Sequence, residues 1–358
     1  MSARSDSSCL TYDAVIATRN RAEALVLSIP LLIGQSRQPE QIIVIDSSDD
    51  PEPVAKAVEQ ATAGWTGTTI CVHSDPGLPY QRNLGLRHVT APVVLFPDDD
   101  SLLFPDAAER MLEIYESDTD EVVAGVCAAE ADAPPPGVLE GAGYGMTGAH
   151  VREARHRGLR NRLEKNLSFL KPQLFLGRTL TGRFGRPDWL TAKNAVIVEY
   201  MTGFRMSFRT DAIHRQGFDE ALGGYALDED VDASFVAAQS GLLIGARDAK
   251  IYHHRFPSGR GNGARLGRME VLNRLYVGLK HATADAAPNG TARKMRWRLR
   301  GFVAAKMLVS LLGARSQFGR ERLGGVLRAV LASGPIWRAA PKDLATAYRA
   351  AFDKAGAA

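Results

Sequence analysis

Three consecutive carboxylates, Asp98, Asp99 and Asp100, follow the apolar run Val93-Val94-Leu95-Phe96 and Pro97 in this chain of 358 residues. Three like charges in a row repel one another unless a cation sits among them. Hard oxygen ligands of this kind suit Mg²⁺ or Mn²⁺, and such ions usually bridge to substrate phosphates. A solvated acidic turn that caps a following helix is the plainer alternative, so the surroundings of the triplet must decide. The run before it, flanked by Pro92 and Pro97, reads as a buried strand. Carboxylates at the carboxyl end of such a strand stand at a sheet edge, where α/β folds bind ligands.

The elements around the triplet are consistent with that position. Tyr12 to Ala17, Gln41 to Ile45, Thr68 to Val72 and Val93 to Phe96 are short apolar strands. Ala22 to Ile33, Val54 to Gln60 and Pro79 to His88 have helical spacing between them. Strands alternating with short helices predict a mostly parallel, doubly wound α/β sheet. The polar turns Thr18-Arg19-Asn20-Arg21, Asp46-Ser47-Ser48-Asp49 and Asp98-Asp99-Asp100 then fall at one edge, where a nucleotide would lie.

Pro105 to Glu116 reads as helix and Glu121 to Ala128 as strand. The segment from about 130 to 190 breaks the pattern. His150 to Pro187 carries ten Lys+Arg against two Glu, which suggests a basic insertion. Strands are predicted over Val196 to Met201, Met206 to Phe208, Leu243-Ile244 and Lys250 to Tyr252, with a helix over Ala233 to Ser240. After Pro257 the chain becomes helical and basic, with a break at Ala287-Pro288-Asn289-Gly290.

The formal net charge of +4 conceals an asymmetry. From Ser258 onward there are 19 Lys+Arg against 5 Asp+Glu, and the residues before it carry 25 against 35. An acidic body is thus joined to a basic tail, which suits an anionic surface or serves as a solvated brace. No nucleic-acid-binding motif accompanies the charge. Cys9, Cys71 and Cys127 are few and widely spaced, so a reducing cytoplasm is expected. Met1 to Leu10 is polar and lacks the apolar core of a signal peptide, and Gly301 to Gly313 is too short to span a bilayer.

Taken in order, these motifs resemble the family 2 glycosyltransferases of the GT-A fold. The series adds Gly77 to Gly85 with its Gln81-Arg82-Asn83, Gly203 to Arg209, Gly217-Phe218-Asp219-Glu220, Asp228-Glu229-Asp230-Val231-Asp232 and His253-His254. The resemblance covers roughly Tyr12 to Pro257 and implies a GT-A domain over 12–257. Residues 1–11 form a polar tail before it and 258–358 a helical appendage after it. It implies inverting transfer of a sugar, hexosyl-like, from a nucleotide diphosphate sugar to an acceptor hydroxyl in glycan or glycoconjugate synthesis.

The roles it implies fall on particular residues. Asp100, with Asp98 and His253, would hold Mn²⁺ or Mg²⁺, with His254 the competing histidine. Asp98 and Asp99 would also meet the sugar-nucleotide. Thr18, Arg19 and either Asp46 or Asp49 would line the nucleoside, and Arg82 would contact the pyrophosphate through its fixed fork of donors. Asp230, paired with Glu229, would be the base that takes the acceptor proton, while Asp232 would bond the start of the following helix.

A nucleotidyltransferase is the competing enzyme reading, but Thr18-Arg19-Asn20-Arg21 lacks the glycines that cradle a triphosphate. An inactive GT-A domain acting as a binding module would need neither the Asp triplet nor the Glu-Asp pair. Met295 to Ser310 places Trp297, Leu299, Val303, Met307 and Leu311 among Arg296, Arg298 and Arg300. This predicts an amphipathic helix for peripheral attachment to the inner face of the cytoplasmic membrane, beside a lipid-linked acceptor.

Overall fold

The computed structural model describes residues 9–139, 171–223, 226–256 and 262–357. The chain divides into two compact units. The first comprises Met1–Val138, Thr181–Asp219 and Ala233–Gly259, and the second Leu139–Leu180, Glu220–Asp232 and Arg260–Ala358. Most of the expected basic insertion lies outside the described residues. Its end forms a helix, Pro172–Thr181.

The first unit opens with alternating strands and helices: β1 (Tyr12–Thr18), α1 (Ala22–Ile33), β2 (Gln41–Asp46), α2 (Glu52–Ala61), β3 (Thr68–His73), α3 (Leu78–Leu86) and β4 (Val93–Pro97). It continues with β5 (Ser101–Leu103), α4 (Ala107–Ser117) and β6 (Val123–Glu130). Pro172–Thr181, nearly all of it in the second unit, is α5; the first unit resumes with β7 (Ala195–Ile197), β8 (Arg205–Arg209), α6 (Thr210–His214) and β9 (Leu242–His253), while α7 (Glu229–Ala237) begins in the second unit and ends in the first.

The strands form one sheet in the order β3-β2-β1-β4-β8-β6-β9-β5, with β7 also on β9. β1 pairs in parallel with β2 and β4, β2 with β3, and β6 with β9. β8 lies antiparallel between β4 and β6, so β1, β2, β3, β4, β6 and β9 all run the same way. The carboxyl ends of β1, β2, β4 and β9 therefore share one edge, which carries the turns singled out in the sequence.

Burial follows the sequence pattern. Ile42 to Ile45 of β2 are fully buried, as a strand covered on both faces requires. Leu25, Ile29 and Leu32, spaced along one face of α1, share a core with Ile16, Ile42, Val44 and, from α4, Met111 and Tyr115. Burial of each such side chain contributes about 1.5–3 kcal/mol.

Three elements differ from expectation. The two short strands near 243 and 251 are parts of the single β9, whose pairing with β6 is irregular at Ala128/Ala129. Polar Arg247 and Asp248 interrupt the apolar pattern there without ending the strand. The strand expected over Val196 to Met201 is confined to Ala195–Ile197. The helix expected from Ala233 starts at Glu229, so Glu229, Asp230 and Asp232 lie in its first turn. The positive end of the helix dipole favours acids there.

The second unit contains α8 (Gly263–Ala282), α9 (Thr291–Leu312), α10 (Gln317–Ala332), α11 (Gly334–Arg338) and α12 (Leu344–Ala357). The expected break at Ala287 to Gly290 separates α8 from α9, with Gly290 at φ 83°. α8 and α10 touch backbone to backbone. A β-carbon at Gly267 would collide with the Arg322 carbonyl, and one at Gly325 with the Ala264 carbonyl. Beside this contact, Glu270 is held by Lys306 at 2.9 Å and by Arg322.

The amphipathic helix expected over 295–310 is α9, but its side chains divide differently. Met295 and Leu299 are buried, whereas Trp297 and Leu311 are exposed. The three arginines proposed for headgroups are engaged within the unit. Arg296 Nη1 donates to the Trp337 carbonyl at 2.6 Å, Arg298 lies 4.5 Å over the Phe175 ring, and Arg300 lies 5.9 Å over the Trp337 ring. Among the described residues, no helix is long and apolar enough to cross a membrane.

Candidate functional site

The Asp triplet occupies a tight turn between β4 and β5, so a short strand follows it and not the helix it was weighed as capping. The Ser101 amide donates to the Asp98 carbonyl at 3.0 Å, and the Asp98 amide donates to Ser101 Oγ at 3.0 Å. Ser101 Oγ donates to the Phe204 carbonyl at 2.8 Å, tying the turn to the start of β8. Asp99 and Asp100 are buried, while the side chain of Asp98 is one-third exposed.

Each carboxylate has its own partners. Asp98 Oδ1 accepts from Arg82 Nη2 at 2.9 Å. Asp99 accepts from Thr18 Oγ1 at 2.8 Å and from Arg21 Nη1 at 3.0 Å. Asp100 Oδ2 accepts from the Phe256 amide at 2.8 Å, and Arg21 Nη1 stands 3.8 Å away. Asp100 Oδ1 is buried with no hydrogen bond of good geometry, and His253 Nε2 lies 3.3 Å from it. Burial pushes the Asp99 carboxyl up to about 7 against the pull of Arg21. Burial also acts on Asp100, but His253, the Phe256 amide and Arg21 outweigh it and hold that carboxyl below its ordinary value.

Asp98, Asp100 and His253 bring one ligand atom each within 4.8 Å of one another. Two carboxylate oxygens and an imidazole nitrogen form a donor set that suits Mn²⁺ or Mg²⁺, and the buried Asp100 Oδ1 lacks the donor that a cation would replace. Of the histidine pair, His253 joins this group and stacks on Phe204 with ring centroids 4.5 Å apart. His254 instead donates its backbone amide to the Asp100 carbonyl and sets its ring edge-on to Phe256.

Three consecutive residues of α3 hold this edge together. Gln81 Nε2 donates to the carbonyls of Thr18 and Ile45 at 3.0 and 2.8 Å, linking the ends of β1 and β2. Arg82 is buried on Asp98 and lies 5.4 Å over the Phe218 ring. Asn83 brackets Phe218, accepting from its amide at 2.7 Å and donating to its carbonyl at 2.9 Å, where Gly217 takes φ 62°. Arg82, expected as a pyrophosphate ligand, therefore meets the edge through Asp98. A guanidinium this buried needs a carboxylate partner.

The β2 turn separates the two aspartates that the sequence left as alternatives. Asp46 is buried, accepts from the amide and hydroxyl of Ser48, and has His73 Nδ1 at 3.4 Å. Asp49 is exposed and bonded to Arg19 at 3.0 Å and to Asn20, whose φ of 54° turns the chain. Arg21 was part of the quoted turn but was given no role, although the structure places it on Asp99. Sequence reasoning also missed Ser101, Phe204 and Phe256. A guanidinium three residues beyond a strand end, opposite an acidic triplet, was a signal for the first. The others act through a hydroxyl, backbone atoms or ring stacking and carry no charge pattern.

Glu229 and Asp230 belong to the second unit, where α8 holds the segment around them. Asp228, at φ 72°, forms a two-pronged bond with Arg274, its Oδ2 accepting from Nε at 2.9 Å. The Leu227 carbonyl accepts from Asn273 Nδ2 at 2.6 Å, and Asn273 in turn accepts from the Tyr348 hydroxyl at 2.8 Å. Asp232 is fully buried and does not bond its own helix start as expected. It accepts from Lys280 Nζ at 2.9 Å, and His281 Nε2 stands 2.7 Å away. Burial raises Asp232, but His281 and Lys280 prevail and keep it below the ordinary carboxylate value. Glu229 is buried and Asp230 is partly exposed.

Residues 13–179 match the model of glycosyl transferase family 2. No curated protein matches the chain by sequence. Among solved structures it is similar to the mannosyltransferase PcManGT from Pyrobaculum calidifontis, determined with GDP-Man and Mn²⁺. The TM-score is 0.50 at 16% identity, over 98% of this chain and 88% of that one. It is also similar to S. aureus TarS 1-349, with a TM-score of 0.49 at 13% identity, over 96% and 90% of the two chains. The fold is the mixed α/β, GT-A type, with a helical C-terminal region.

Proposed function

We propose that this chain, through the region that matches glycosyl transferase family 2, transfers a sugar from a nucleotide diphosphate donor to an acceptor hydroxyl with inversion. The observation that carries the reading is the convergence of Asp98, Asp100 and His253 at the carboxyl edge of the parallel strands. Such an edge is where α/β sheets take nucleotides. A divalent cation held by these three residues would supply Lewis-acid stabilisation of the departing diphosphate.

The remaining work falls to the chain's own groups. Thr18 and Arg21 fix Asp99, Arg82 fixes Asp98, and Phe204 sets the His253 ring. None of these side chains needs to reorganise to hold charge at the edge, which is how preorganised sites lower barriers. Arg19 and Asp49 are the exposed polar groups suited to a nucleoside, with Asp46 and His73 behind them. Asp230 is the base that receives the acceptor proton, and Glu229 supports it. Their segment is held by Arg274 on one side and by Lys280 and His281 on the other, which restricts the rotamers available to the base. The acceptor is a glycan or glycoconjugate hydroxyl, for which a lipid-linked carrier suits the basic helices.

Thermal melting with Mn²⁺ and a panel of nucleotide sugars tests the reading. A true donor raises the melting temperature by mass action, and the rise should require the metal. If no nucleotide sugar shifts the melt with Mn²⁺ or Mg²⁺ present, the donor assignment falls.

A further inference from the structure

Of the large hydrophobic side chains that are exposed among the described residues, all but Val26 lie between Trp297 and Leu331. On α9 they follow a helical period. Trp297, Ala304, Leu308 and Leu311 recur at intervals of three, four and seven, which places them on one face. Leu312 extends the face at the last turn, and Phe318 opens α10 after a connection of four residues. Trp297 is 62% exposed and Leu311 56%. Met295, Leu299 and Val309 occupy the opposite side of the same helix and are buried. The outward stripe is therefore additional to the surface α9 needs for its own packing.

The charge around the stripe is one-sided. From Thr291 to Lys342 there are 12 Lys+Arg and a single carboxylate, Glu321. Arg293, Lys294 and Arg300 beside the stripe and Arg315 after it are exposed. Apolar side chains running along a helix about 33 Å long, bordered by cations, have the composition of a surface that lies in an anionic interface. A second copy of the chain fits poorly, because a two-fold contact would set one row of cations against the same row of its partner.

We infer that the outward face of α9, from Trp297 to Leu311 with Leu312 and Phe318, docks the protein on a membrane rich in anionic lipid. The helix lies along the headgroup layer and does not cross it, consistent with the absence of a spanning segment among the described helices. Arg296 and Arg298, bonded inside the unit, stay out of this contact, and Arg293, Lys294 and Arg315 provide the attraction. Docking of this kind would hold whether or not the chain transfers a sugar.

Vesicle flotation of the full chain tests the inference, using phosphatidylcholine alone and phosphatidylcholine mixed with phosphatidylglycerol. The chain should float with the mixed vesicles at low salt, and should float poorly with the neutral ones. Leu308→Glu with Leu311→Glu, or Arg293→Glu with Lys294→Glu, should weaken partitioning by roughly tenfold or more, as should high salt. Because these side chains are exposed, melting of the variants should match the parent. Absence of flotation at low salt, or equal flotation with neutral vesicles, overturns the inference. So does a dimer in light scattering that Leu311→Glu separates, which would assign the stripe to a second copy.

Discussion

The chain has two acidic runs, Asp98-Asp99-Asp100 in the first unit and Asp228-Glu229-Asp230-Val231-Asp232 in the second. By composition they are near equivalents, but their surroundings differ. In the first run three carboxylates crowd one turn at a sheet edge, sharing Arg21, Arg82 and His253, and one buried oxygen of Asp100 accepts no good hydrogen bond. In the second run the helix spacing separates the acids, and the outer two have dedicated partners, Arg274 for Asp228 and Lys280 with His281 for Asp232. Crowded carboxylates with incomplete compensation suit a metal. Spaced carboxylates with full compensation at either side make a rigid frame for the two between them, Glu229 and Asp230. The number of acids says little, and what faces each oxygen decides its chemistry.

This contrast is open to direct test. The largest effect is expected at the crowded turn. Asp100→Ala should lower transfer by roughly 10³-fold, since a Lewis-acid metal contributes several kcal/mol. EDTA should reproduce the loss and Mn²⁺ should reverse it only in the parent. Full activity in EDTA would remove the distinction between the two runs. Next, Asp230→Asn should reduce turnover by about 10²–10⁴-fold with donor affinity nearly unchanged. A collapse of donor affinity would instead place Asp230 with the nucleotide.

At the frame, Asp232→Ala leaves the buried His281 and the partly buried Lys280 without their carboxylate and should cost about 3–5 kcal/mol of stability in denaturant unfolding. The pH dependence has a definite sign. Asp232 titrates lower folded than unfolded, so its contribution is complete above the ordinary carboxylate value, about 4. It disappears as pH falls through the lower folded value. Asp232→Asn should therefore flatten acid unfolding below about pH 4, and an unchanged acid limb would mean the cluster is not charged as drawn. Smaller still, Arg274→Ala should lower turnover by roughly tenfold at constant donor affinity, with partial rescue by Lys. Least of all, Asp49→Ala should leave the melting temperature where it was, because its bond to Arg19 is exposed.

The sequence disclosed the strands well where each was a contiguous apolar run closed by a polar turn, as in Gln41 to Ile45 followed by Asp46. It failed at β9, where Arg247 and Asp248 mimic a turn inside a strand that pairing with β6 and β7 keeps extended. The Asp triplet and His253 were legible as donor types, although their convergence depends on β9 ending beside β5. Arg82 was legible as a functional arginine, but its burial was not, because nothing local reveals that Phe218 lies against it. Asp232 misled for the same reason. Its partners, Lys280 and His281, lie some fifty residues further on in a helix that looked like a basic appendage.

The strand order also has a consequence for synthesis on the ribosome. β1 to β4 form one contiguous half of the sheet from residues 12 to 97, so they are able to zip together as soon as they emerge. β4 then presents an open edge until β8 arrives, because Val93 pairs with Arg209 more than a hundred residues later. An unpaired, apolar strand edge is the surface on which nascent chains aggregate or recruit chaperones. The strand order thus predicts that capture of β8 and β9 follows assembly of β1 to β4. Pulse-labelled hydrogen exchange should protect amides of β1 and β2 before those of β6 and β8. Simultaneous protection would show that the sheet closes in a single event.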